Sequence, residues 1–133
     1  MEKISNEKIS AFKQLLKQLL NELEQKAFKA MHTDMIFRGS PAEVYRKCGK
    51  KTCKCAKGGT DRHGPYKVIQ INRNGTQKQI TLKPGQEKYF EMAKFYVWHN
   101  NNHKSIKDLL NKIDNLIANI LELRTMEDIN DEQ

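Results

Sequence analysis

All three cysteines of the 133-residue chain fall within eight positions, as Cys48, Cys53 and Cys55, and His63 follows after seven intervening residues. Apart from cysteine, Ala56 is the one apolar residue between Cys48 and His63, so this stretch has no core of its own and needs a staple to hold a fixed shape. Three soft thiolates and one imidazole complete the tetrahedral shell of structural zinc. The spacing therefore predicts a Zn²⁺ site made by Cys48, Cys53, Cys55 and His63, with His32, His99 and His103 as alternative fourth ligands. Lysines at 50, 51, 54 and 57 favour the thiolate form. Three cysteines cannot all pair within one chain, which argues against a disulfide framework. A catalytic cysteine would need a base and an orienting group at recognisable positions, and none is apparent.

The length fits one domain with a modest core. The longest unbroken apolar run, Phe95-Tyr96-Val97-Trp98, is far too short for a signal peptide or a membrane span. A protein of the reducing cytoplasm is expected. The net charge of +8 is unevenly spread: Ile36 to Lys88 holds thirteen Lys or Arg against three acids, whereas the flanks are close to neutral or acidic. A segregated basic region of this kind is a footprint for a polyanion.

Along the chain, Ser5 or Asn6 can cap a helix reaching about Thr33. Its stripe Ile9, Phe12, Leu16, Leu19 and Leu23, widened by Leu15 and Leu20, suits packing against a second helix. Ala42 to Lys47 reads as a short strand or turn. The segment from Pro65 alternates, and Asn74-Gly75 is a two-residue hairpin signal that sets Ile69 opposite Ile80 and Lys67 opposite Leu82. A second helix is expected from about Gln86 to Met126. Its aromatic first part should be enclosed by the hairpin and the first helix, and a bend or break is expected at His99 to His103. Beyond it, Ile106, Ile113 and Ile120 at a with Leu109, Leu116 and Leu123 at d form a heptad suited to a parallel dimer. Leu110 and Ile117 add a stripe at e for the first helix to cover.

The predicted fold is α+β: a small zinc-pinned β-hairpin head flanked by two long helices that form an antiparallel or coiled-coil stalk. The segments are an amphipathic helix (1–36), the basic head (37–85), the long helix (86–126) and an acidic, frayed tail (127–133).

Arg38-Gly39-Ser40, then Tyr45-Arg46-Lys47-Cys48-Gly49-Lys50, Cys53-Lys54-Cys55-Ala56-Lys57-Gly58 and His63-Gly64-Pro65-Tyr66, together resemble a family of short bacterial and archaeal proteins of uncharacterised function, often encoded among mobile genetic elements. The resemblance runs over residues 38 to 98. It implies that the Cys/Cys/Cys/His set and the Arg-Gly-Ser turn form one module with the helical flanks outside it, and an accessory or regulatory role beside a mobile element.

The residues themselves point to a nucleic-acid-binding protein, for DNA or RNA. Arg38, Arg46, Lys47, Lys50, Lys51, Lys54, Lys57, Arg62 and Arg73 would meet phosphate, and Tyr66 or Tyr45 would stack on a base. The alternative is an assembly factor acting through its helices, as a homodimer or with a protein partner. Enzymatic activity is not expected: a closed shell of three thiolates and a histidine leaves zinc no open position, and the only acids in the head are Glu43, Asp61 and Glu87.

Overall fold

Asn74 and Gly75 dictate the first long-range geometry of the chain. Both take positive φ, 52° and 78°, as a hairpin turn matched to strand twist requires. The turn joins β2 (His63–Arg73) to β3 (Thr76–Thr81). Ile69 lies opposite Ile80, and the Leu82 N–H donates to the Lys67 carbonyl, in the register predicted from sequence.

A computed structural model describes residues 2–57 and 62–131, and the side chains of residues 2–5, Cys55 and Lys57 fall outside that description. The chain is α+β, with helix α1 (Glu2–Met31), a three-stranded antiparallel sheet and helix α2 (Glu87–Leu123). The sheet is more than the expected hairpin. The segment expected as a strand or turn at 42–47 belongs to β1 (Ser40–Arg46), which pairs with β2 in the order β1-β2-β3. Pro41 is tolerated because β1 is an edge strand. Between the pairs Val44↔Tyr66 and Arg46↔His63, β2 carries one residue more than β1. Gly64 sits in that bulge with φ 140°, where a Cβ would meet the Val44 carbonyl oxygen at 2.7 Å.

Two compact units make up the chain: Thr33–Asn100, and Met1–His32 with Asn101–Gln133. In the first, Ile69 and Ile71 from β2 and Ala93 from α2 form the core, with Phe37, Leu82 and Tyr89 packed against it. Phe37 is fixed by its N–H bond to the Met92 carbonyl and by an edge contact with the Tyr89 ring. Phe90 is buried, and Lys67 and Lys94 each hold an ammonium about 5 Å from its ring. Val68, on the opposite face of β2, is also fully buried. Arg46 spans that face, donating to Thr81 Oγ1 at 2.9 Å and to Gln79 Oε1 at 2.7 Å. The first turn of α2 is closed by side chains, as Gln86 accepts from the Lys83 N–H and Glu87 from the Gly85 N–H. Backbone N–H groups at Glu87 and Gly85, helped by Lys67, hold the Glu87 carboxyl below its ordinary pKa.

The aromatic opening of α2 is not enclosed as expected. Phe90 and Ala93 are buried, but Phe95 and Trp98 are 56% and 44% exposed. Nor does α2 break at the asparagines, since it is helical throughout residues 99–103. Asn102 is buried and donates to the Lys26 carbonyl at 3.1 Å, a bond worth about 1 kcal/mol that offsets asparagine's weak helix propensity.

In the second unit, α1 starts at Glu2 instead of the expected cap at Ser5 or Asn6. It turns the predicted stripe inward, with Ile9 buried and Phe12, Leu16, Leu19 and Leu23 half-buried. On α2 the heptad seam behaves differently from the expectation. Leu109, Ile113 and Leu116 are buried within the single chain, while Leu110 and Ile117, expected under α1, are 48% and 41% exposed. Half of the seam that suited a parallel dimer is thus buried within the single chain, and Ile106, Ile120 and Leu123 are half-buried. The tail expected to fray forms a short 3₁₀ turn, Ile129–Asp131, in which the Asp131 carboxylate accepts from two backbone N–H groups. Among the described residues, no helix is long and apolar enough to cross a membrane.

Candidate metal centre

The register of β1 on β2 pairs Arg46 with His63, so the chain leaves β1 beside that histidine and reaches Cys48 two residues later. Two tight turns then fold it back, with the Cys53 N–H donating to the Lys50 carbonyl and the Ala56 N–H to the Cys53 carbonyl. The ligand atoms of Cys48, Cys53 and His63 come to lie within 4.8 Å of one another. Cys53 Sγ is 3.0 Å from His63 Nε2. A tetrahedral ion bonded to sulfur at about 2.3 Å sets neighbouring ligands roughly 3.7 Å apart. Three of the four expected ligands thus already lie near the spacing of one coordination tetrahedron, and Cys53 and His63, whose sulfur and nitrogen it would set roughly 3.5 Å apart, need to part by only about 0.5 Å.

Cys55, the fourth expected ligand, rides on the 3₁₀ turn Lys54–Lys57, and its side chain lies outside the described residues. Among the described residues the cluster takes in His63 and none of the other histidines. His32 packs its ring on Phe28, and His99 on Trp98.

The predicted phosphate contacts divide into three groups. Lys47, Lys50, Lys51, Lys54 and Arg62 are exposed and belong to the segments that carry the cluster. Among the described residues the salt bridge is Lys94–Glu91, and no carboxylate pairs with any of these five. Arg38 and Arg73 are exposed elsewhere: Arg73 ends β2, ten residues from His63 and so about 33 Å along an extended strand. Arg46 is half-buried and committed to its two bonds across the sheet, with its guanidinium 6.0 Å from the Tyr66 ring. Tyr66 is 39% exposed and Tyr45 55%, and the Lys57 side chain lies outside the described residues.

Gln77 and Gln79, expected from sequence only as solvent-facing residues of the hairpin, belong to a set of four carboxamides. Gln70 pairs with Gln79 and Asn72 with Gln77, all four exposed. Their signal is amide side chains at alternate positions on both arms of an Asn-Gly hairpin.

Fold and site together define a small, basic α+β protein with a cysteine–histidine cluster able to hold a metal ion. Within that class, the chain belongs to the family described as a domain of unknown function, DUF6788, whose model matches residues 9–91. The match takes in most of α1, the whole sheet with its cluster and the first turn of α2. The first helix is therefore part of the family's extent, not a flank outside it. No curated protein and no solved structure matches the chain.

Proposed function

We propose that the protein binds nucleic acid through a zinc-stabilised head, whose cations meet the phosphate backbone. The observation that carries this reading is the group Lys47, Lys50, Lys51, Lys54 and Arg62, exposed and with no carboxylate partner among the described residues, on the segments that bring Cys48, Cys53 and His63 together. The donor chemistry favours zinc: two thiolates and an imidazole suit a borderline-soft ion, and Cys55 is near enough in sequence to close the shell. The ion would act structurally, fixing the spacing of the surrounding lysines.

Binding of a duplex or single strand should weaken steeply with salt. Five phosphate contacts give a log–log slope of about −4, because each neutralised phosphate releases condensed counterion. Lys51→Ala and Lys54→Ala should each flatten the slope by about one unit and lower affinity on all sequences alike, whereas Lys13→Ala and Lys112→Ala on the helices should leave it unchanged. Affinity that ignores salt would sink the reading.

A second reading rests on Leu110, Ile117 and Leu121, exposed on α2. They offer an assembly surface for a partner or a second copy, and light scattering at tens of micromolar shows whether copies associate there.

A further inference from the structure

We infer that the β2–β3 ribbon reads adenine-containing base pairs in the major groove of B-form DNA through its carboxamides. This rests on the nucleic-acid reading above and adds to it a base-selective surface, distinct from the lysines that meet phosphate.

Gln70, Asn72, Gln77 and Gln79 form a two-by-two grid on one face of the ribbon, since Gln70 is directly opposite Gln79 and Asn72 directly opposite Gln77. Ile69 and Ile71 point the other way, into the core; on the grid's own face Val68 is buried and Arg46 crosses to Gln79, while the four carboxamides stay exposed. Residues two apart on a strand are roughly 6.6–6.8 Å apart, and cross-strand partners about 5 Å. The first spacing equals two steps of a base stack that rises 3.4 Å per step. The major groove, about 12 Å wide, admits a two-stranded ribbon of this kind.

The chemistry of the grid selects among bases. A carboxamide offers one acceptor and one donor side by side, which matches the N6 donor and N7 acceptor of adenine. Among the described residues, no hydrogen bond occupies the side chains of Gln70, Asn72 or Gln77, so each keeps both functions. Gln79 is different: its oxygen accepts from Arg46. Because a guanidinium only donates, the Gln79 amide is held as a donor. The same four residues line a groove that also takes in Arg38, Ile71, Lys78 and Tyr96 of α2. Among the described residues no carboxylate lines it, and Arg38 at its rim is placed to meet phosphate. A-form RNA is excluded as the preferred duplex because its deep, narrow major groove does not admit side chains.

The test is selection by the full-length protein from a pool of DNA duplexes with a random core, followed by titration of the selected duplex. Adenine should be enriched in a short core. Replacing those adenines with 7-deazaadenine, which removes N7 and leaves charge and minor groove intact, should weaken binding about 5- to 150-fold for each bidentate pair lost. Gln77→Ala and Asn72→Ala, both at exposed sites, should abolish the discrimination while preserving the salt slope. Gln77→Glu should shift the preference at one position from adenine towards cytosine, which offers only a donor there. Salt-dependent binding that is equal for adenine and 7-deazaadenine duplexes overturns this inference and leaves the phosphate reading intact. Equal affinity for duplex RNA also overturns it. Absence of salt-dependent binding to any duplex overturns both.

Discussion

Gly39 is the residue at which one added carbon should do most damage. It is buried immediately before β1, and a Cβ built there would lie well inside contact distance of Ile69 Cγ2 and at 3.1 and 3.2 Å from the Gln70 carbonyl oxygen and Ile71 Cγ2. None of the three can give way easily. Ile69 is fully buried and Ile71 nearly so, and Gln70 is held in the ladder between Ser40 and Gln79. Overpacking of this sort costs about 1–3 kcal/mol. At roughly 4 °C per kcal/mol for a chain of this size, Gly39→Ala should lower Tm by about 4–12 °C. The decisive measurement is a double-mutant cycle followed by circular dichroism and urea titration. Ile69→Leu removes the Cγ2 branch at constant volume and should cost under about 1.5 kcal/mol alone. The pair Gly39→Ala/Ile69→Leu should then be more stable than the sum of the single changes, by at least about 0.5 kcal/mol. A Gly39→Ala protein melting within 1 °C of the parent, or strict additivity in the cycle, would refute the close approach as the reason for glycine here.

The purified protein should carry about one zinc per chain, and Cys48→Ser or Cys53→Ser should release it and reduce hydrogen-exchange protection across residues 65 to 83, because metal affinity at a structural site is coupled to folding; unchanged protection after metal removal would exclude the site. Asn102→Ala should be mild, below about 1 kcal/mol, since better helix propensity partly replaces the lost bond to Lys26. Asn102→Asp should cost more, roughly 1–3 kcal/mol, because it sets a buried acceptor against a carbonyl, and thermal melts of the two variants rank them. For Glu87, whose pKa is lowered on folding, the stabilisation is present above the ordinary value of 4.5 and lost as pH falls through the folded value. The stability gap between the parent and Glu87→Gln should therefore be constant above about pH 5.5 and close on acidification, as read from denaturant midpoints along a pH series.

What could be read in advance was what neighbouring residues decide together. Asn74-Gly75 fixes turn type and register at once, so Ile69 opposite Ile80 followed directly. The Ile9 to Leu23 stripe likewise found its inward orientation. The third strand was harder to see because sixteen residues, 47–62, separate β1 from β2, and because β1 contains Pro41 and pairs through a bulge. On α2 two apolar stripes of similar strength run side by side, and periodicity alone does not decide which one is buried; it is the a/d seam. The asparagine run was read by propensity, which a single bond from Asn102 overrode. At the site, Cys48, Cys53 and His63 were legible from donor chemistry and spacing. The role of Arg46 was not, since nothing local distinguishes an arginine that spans a sheet from one that faces solvent.

Among the described residues the sheet has three strands, and its two outer ones leave backbone donors and acceptors that another chain can extend. Each is blunted by its own residue choice. Pro41 removes one donor from β1, and the bulge beside Gly64 bends the end of that pairing. On β3, Lys78 stands opposite Ile71, on the core-facing side of the ladder. A fourth strand laid against β3 would bring its own side chains beside that ammonium and pay to desolvate it. A short sheet with so many exposed amide side chains would otherwise be a template for end-to-end aggregation, and replacing Lys78 by an aliphatic residue should lower the protein's solubility before it changes the fold.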